Sequence, residues 1–241
     1  MKPKHIILLL FLFSCSLRAQ TFKEVKTAQD VIDNYLEANG GADNLRGVKS
    51  VSMEGNMSLL GSDVPIKFYT GKNIFYMNFD HSQFAVTIAV DTKKEKGWSK
   101  FGEAIKDASP ADIEEHKNNI ISTLWGYYID KDKYGMSYQL LQNEKVGDKD
   151  AYVIDFLNKD SVIQTVYFDS ETFNRVKVVK SSMASEYSDF KIVGNSGIYM
   201  PYRVATGEGD VTVAKYEFNS KFDKKLLKKP EEKQKKEEEK K

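Results

Sequence analysis

Two hydrophobic periods alternate along the chain. From Ala28 to about Asn39, Val31, Ile32, Tyr35 and Leu36 recur at helical spacing and fall on one face. Thr27 and Asp30 form a capping pair at the start of this helix, and Gly40-Gly41 supply the backbone freedom that ends it. The pattern then switches to period two. Val51, Met53, Met57 and Leu59 alternate with Ser52, Glu54, Asn56 and Ser58, and Phe84, Val86, Ile88 and Val90 alternate with Ala85, Thr87 and Ala89. Between them lie Ile66 to Tyr69 and Ile74 to Phe79, set off by turns at Gly61-Ser62-Asp63 and Gly71-Lys72-Asn73. A second helix is predicted from Pro110 to near Trp125, with Ser109 and Asp112 as caps and Ile113, Ile120, Ile121 and Leu124 as its apolar stripe. Strands then resume: Ser137 to Gln142, Ala151 to Leu157, Val162 to Phe168, Arg175 to Lys180, Glu186 to Val193, Tyr202 to Gly207 and Val211 to Phe218. About ten strands and two helices in the order helix, strands, helix, strands predict an α+β domain. Its expected form is a strongly curved antiparallel sheet, a half-open β-barrel, with helices on the concave side.

The two ends differ from this body. Lys2 and Lys4, the apolar run Ile6 to Phe13 and the small or polar residues up to Gln20 read as a secretory signal over residues 1–20, with cleavage after Ala19. The run is too short to span a bilayer, and no transmembrane segment is expected elsewhere. Cys15, the only cysteine, has two readings: removal with the signal, or lipidation as the new N-terminus after Leu12-Phe13-Ser14. The first makes a periplasmic protein and the second a membrane-anchored lipoprotein; neither leaves a disulfide or a thiolate-bound metal. Residues 221–241 are mostly Lys and Glu, with Pro230 against helix, and read as a solvated tail. Setting both ends aside turns the formal net charge of +1 into roughly −6 for residues 21–220, which argues against a nucleic-acid partner. No linker divides this body, so it reads as one domain.

Chemistry is sparse. His81 sits in a predicted turn and His116 on the polar side of the second helix, neither with a partner at metal-ligand spacing. Asp130-Lys131-Asp132-Lys133-Tyr134-Gly135 resembles the opening of a calcium loop, but Tyr134 and Leu141 stand where oxygen ligands are needed. Ser188-Asp189-Phe190-Lys191 matches an acyl-enzyme signature without its companion motifs, and it falls in a predicted strand. No nucleophile, base and orienting group are seen together, so no enzyme, cofactor or metal is expected. What stands out is adaptable apolar surface. Met53, Phe68, Phe75, Met77, Phe84, Ile88 and Tyr152 from the strands, with Trp125 from the helix, are the candidate lining of an apolar ligand cavity.

Several stretches together resemble a known family. They are Asn39-Gly40-Gly41, Leu45-Arg46-Gly47-Val48-Lys49-Ser50-Val51, Met53-Glu54-Gly55, Tyr167-Phe168-Asp169 with Thr172, Ser188 to Lys191, Gly197-Ile198-Tyr199-Met200-Pro201-Tyr202, and Phe222 to Pro230. In this order they resemble outer-membrane lipoprotein-sorting-like proteins of Bacteroidetes, in the superfamily of LolA, LolB and RseB. The resemblance implies an open barrel, capped by helices, around an apolar cavity for acyl chains. It also implies an arginine near the cavity that controls a lid in dedicated carriers. Arg46, Arg175 and Arg203 are the arginines of the body, and the resemblance gives that role to none of them. The expected function is a periplasmic binding or carrier protein for lipid or lipoprotein acyl chains. The alternative is an envelope sensor or protein-interaction module of the RseB type, with an envelope protein as partner.

Overall fold

A computed structural model of the chain describes residues 22–59, 61–81 and 85–231. The signal segment with Cys15, the candidate residue Phe84 and the end of the charged tail lie outside these residues. The α-helices are Ala28–Ala38 (α1), Ala42–Gly47 (α2), Pro110–Thr123 (α3) and Gly126–Ile129 (α4). Two 3-10 turns, Lys131–Tyr134 and Lys224–Leu227, accompany them. The first six strands are Ser50–Leu59 (β1), Ser62–Gly71 (β2), Ile74–Asp80 (β3), Ala85–Asp91 (β4), Lys96–Phe101 (β5) and Ala104–Asp107 (β6). After α4 follow Met136–Leu140 (β7), Glu144–Val146 (β8), Lys149–Asn158 (β9) and Ser161–Asp169 (β10). Arg175–Lys180 (β11), Met183–Ile192 (β12), Tyr199–Thr206 (β13) and Asp210–Phe218 (β14) complete the set.

All fourteen strands join one antiparallel sheet in the order β6-β5-β4-β3-β2-β1-β14-β13-β12-β11-β10-β9-β7, with β8 also on β9. Two meanders are thus zipped together where the first strand meets the last, with Val51 opposite Phe218 and Met53 opposite Tyr216. The sheet has two ends, β6 and β7, and does not close. Those ends are consecutive in sequence, so the connection between them must cross the sheet, and α3 and α4 lie in that connection.

The helix starts follow the capping chemistry. Thr27 Oγ1 accepts from Asp30 N at 3.2 Å while Asp30 Oδ2 accepts from Thr27 N at 2.8 Å. Ser109 and Asp112 repeat the arrangement at α3, with Pro110 at its first position.

Three strands, β5, β6 and β8, are absent from the eleven strand segments expected from the sequence, and the expectation of about ten is corrected to fourteen. They are short, and their apolar residues are too few to alternate: β5 is Lys-Gly-Trp-Ser-Lys-Phe and β8 is Glu-Lys-Val. Gly97 in β5 is required by packing, since a Cβ there would meet Val90 Cγ2 at 2.7 Å and Ala89 O at 2.8 Å.

Register separates the two faces, because residues directly opposite share a side. On one face the row Phe218, Val51, Thr70, Phe75, Val90 runs across five strands. Ile120 of α3 covers Phe75 and Val90, and Tyr35 of α1 and Trp125 join Val51 in the main core. Phe156, Val166 and Phe168 extend that core to the other half of the sheet, each fully buried. On the opposite face the row Tyr69, Tyr76, Ala89, Trp98 is covered by Phe222 and Leu227. The helical elements therefore do not all lie on one side, and the sequence expectation is corrected here too. The Lys224–Leu227 turn packs opposite α1 and α3. Phe222 stands 4.7 Å from the Tyr69 ring, Trp98 Nε1 donates to Leu227 O at 3.1 Å, and Lys229 pairs with Asp107 at 2.9 Å. Two apolar residues in a Lys-rich stretch find an aromatic row that only the folded sheet assembles.

Candidate functional site

The face that bears α3 presents a second apolar row beside the covered one. Tyr216, Met53, Phe68, Met77 and Ile88 are successive cross-strand partners on β14, β1, β2, β3 and β4. All five are only half-buried. A third row follows: Ile66, Phe79, Val86 and Phe101, the last 54% exposed. α3 covers the first row and leaves the second and third partly open. The strand alternation that predicted these residues thus brings four of the eight candidates, Met53, Phe68, Met77 and Ile88, into one line.

Phe75 lies one row over, buried at 6% exposure, edge-on to Phe68 at 5.4 Å and stacked on His116 at 4.4 Å. His116 is therefore turned toward the sheet, not toward solvent as its place in the helix suggested. Burial lowers its pKa against the opposing pull of Glu115 and Asp112, and its Nδ1 has no hydrogen-bond partner. Tyr152 is elsewhere, stacked at 5.7 Å on Phe173 under the start of the described chain.

Trp125 belongs to a different feature. It is 4% exposed, has a left-handed backbone at φ 57°, and donates from Nε1 to Tyr35 Oη at 2.7 Å. Beside it is a cavity of about 180 Å³ lined in part by Tyr35, Gln164, Arg175, Tyr187 and Phe190. Arg175 stands at the first position of β11, and nothing in the sequence sets it apart from Arg46 and Arg203. Its Nη1 donates to Tyr128 Oη at 3.4 Å and its guanidinium lies 5.0 Å over the Tyr187 ring. Burial works against its charge, and the pull that raises its pKa above the ordinary value comes from tyrosine oxygens, Tyr128 first; Tyr128 and Tyr35 are neutral at pH 7 and oppose the burial only weakly there. Burial likewise raises the phenols of Tyr35 and Tyr128, which stay neutral. Alternation hides this site, because Tyr35 of α1, Gln164 of β10, Arg175 of β11 and Tyr187 of β12 meet only through the fold.

Among the described residues no three His, Cys, Asp or Glu side chains stand where they could share a metal ion, and no helix is long and apolar enough to cross a membrane. Asp130 lies between α4 and the 3-10 turn and pairs with Arg46 at 3.4 Å, while Ser188 and Lys191 lie in β12, where Lys191 pairs with Asp189 at 2.7 Å.

No family model matches the chain, and no curated protein matches it in sequence. Among solved structures it is similar to a putative outer membrane lipoprotein-sorting protein domain from Vibrio parahaemolyticus, at 11% identity over 83% of this chain and 95% of that one, with a TM-score of 0.47. It is similar to a LolA superfamily protein from Nitrosomonas europaea at 14% identity over 85% of this chain and 99% of that one, TM-score 0.45. A third likeness is to the complex structure of Pseudomonas aeruginosa MucA/MucB, at 9% identity over 83% of this chain and 61% of that one, TM-score 0.25. The chain is thus similar, over most of its length, to solved structures described as lipoprotein-sorting and LolA-superfamily proteins.

Proposed function

We propose that this chain is a periplasmic binding or carrier protein for lipid or lipoprotein acyl chains at the cell envelope. The observation that carries this is the row Met53, Phe68, Met77, Ile88, half-buried beside α3 and continued by the row ending at exposed Phe101. A continuous apolar strip left partly open on a sheet face attracts apolar partners, and its two methionines adapt to flexible chains. Each methylene that leaves water there contributes about 0.8 kcal/mol, so affinity grows with chain length. Native mass spectrometry of the purified protein should show co-purified lipid, and Met77→Lys should abolish it. A protein free of lipid, with no uptake of added fatty acid, would reject the proposal.

A second reading rests on a different observation. Met183, Ile192 and Tyr199 are exposed at 66%, 45% and 37% on β12 and β13, outside the apolar row. A sensor or interaction module would use such residues to dock an envelope protein. Crosslinking in cells separates the two: one stoichiometric protein partner supports the module, whereas lipid and many lipoproteins support the carrier. The proposed mature chain begins near Gln20 and is free in the periplasm. A mass beginning at an acylated Cys15 would replace that with a tethered protein.

A further inference from the structure

We propose that the cavity beside Arg175 is a binding site for a small organic monocarboxylate, separate from the apolar row. Arg175 forms no ion pair among the described residues. Its neighbours are the Tyr128 hydroxyl at 3.4 Å and the Tyr187 ring at 5.0 Å, and the cavity wall contains no Asp or Glu. A guanidinium held over an aromatic ring, with one N–H on the Tyr128 hydroxyl, leaves further N–H donors for a planar, two-oxygen anion, and a carboxylate matches that fork. Gln164, on the same wall, is 8% exposed, and its Nε2 has no hydrogen-bond partner. An enclosed amide donor without an acceptor is a standing cost, which an arriving acceptor removes.

Charge and size narrow the ligand. The wall carries a single cation, which balances one negative charge, so a carboxylate fits better than a doubly charged phosphate. The cavity, at about 180 Å³, is close to the ~150 Å³ that accepts benzene in an engineered protein core. Val178, Phe190 and Met200 supply an apolar wall for the organic part. The ligand class is therefore a carboxylate on a compact aromatic or branched aliphatic group, too small to be a full acyl chain. The inference is independent of the acyl-chain proposal, because none of the row Met53, Phe68, Met77, Ile88 lines this cavity.

The test is isothermal titration of the full mature chain with sodium benzoate, benzamide and inorganic phosphate as separate probes. Benzoate is expected to bind one to one, with benzamide at least about 10-fold weaker for its lost charge-assisted hydrogen bond and phosphate at least about 10-fold weaker for its missing apolar group and unbalanced second charge. Arg175→Met should abolish benzoate binding, and Gln164→Met should weaken it by about 10-fold while leaving uptake of fatty acid unchanged. If Arg175→Met does not fold, the Gln164→Met variant and the benzoate-to-benzamide ratio decide. The proposal fails if benzoate does not bind, if benzamide or phosphate binds as well, or if benzoate binds Gln164→Met as it binds the unaltered chain.

Discussion

Replacing Arg175 by methionine should make the unliganded protein slightly more stable, which is unusual for a change in so enclosed a place. Taking a guanidinium out of water costs several kcal/mol, and a carboxylate normally compensates. Here the compensation is a hydrogen bond of 3.4 Å, longer than the usual N–H···O range, and a position over Tyr187. The ring contact contributes about 0.5–2 kcal/mol. Because the side chain is not fully buried, part of its hydration survives, and the net cost is on the order of 1 kcal/mol. Methionine keeps an unbranched stem of similar length and carries no charge to desolvate. The expected gain is therefore about 1 kcal/mol, or about 2–4 °C in Tm for a chain of this size. Urea unfolding at pH 7 measures it, with an unchanged slope showing that the unfolded state is the same. A loss of more than about 1 kcal/mol would show that the guanidinium is a stabilising contact, and would remove the unpaired charge on which the carboxylate site rests.

The core and the helix starts give further tests. Phe168→Ala, at a fully buried position whose ring stands 5.3 Å from Tyr35, should cost about 3–5 kcal/mol in urea unfolding, and a cost under about 1 kcal/mol would place Phe168 outside the core. Ser109→Ala removes the acceptor for Asp112 N at the start of α3 and should cost about 1 kcal/mol. His116 has a folded pKa below its unfolded value of about 6.5, so the unfolded chain takes up the proton first as pH falls. Its contribution to stability is complete above pH of about 6.5 and is lost as pH falls through the lowered folded value. His116→Phe keeps the stack on Phe75, and its unfolding free energy should vary less between pH 7 and 5 than that of the unaltered chain; an identical pH dependence would contradict the burial of the ring.

Much of this architecture is legible from period and caps. The Thr27/Asp30 and Ser109/Asp112 pairs mark both long helices because a helix start exposes backbone N–H groups that only such side chains reach. The line Met53, Phe68, Met77, Ile88 is legible because each residue occupies the apolar phase of its own strand, and antiparallel pairing sets the strands side by side. β5 and β8 are not legible, since Lys-Gly-Trp-Ser-Lys-Phe and Glu-Lys-Val owe their strand form to the neighbour they pair with. The same holds for Phe222 and Leu227, whose partners Tyr69, Tyr76 and Trp98 lie over a hundred residues away. Arg175 and Gln164 escape for a related reason: each is one polar residue in its own strand, and only the register of β9 to β12 joins them to a common cavity.

The seven methionines, of which Met53 and Met77 lie in the apolar row, allow the most direct test of acyl-chain binding. Methyl-labelled methionine spectra would be recorded with a fatty acid carrying a nitroxide near the end of its chain. Broadening of the Met53 and Met77 signals is expected, with Met183, exposed on β12, and Met136, buried at 5% exposure under the helices of the other half, left sharp. Uniform broadening, or broadening of Met183 while Met53 and Met77 stay sharp, would contradict the assignment of the β1–β4 face as the acyl-chain site.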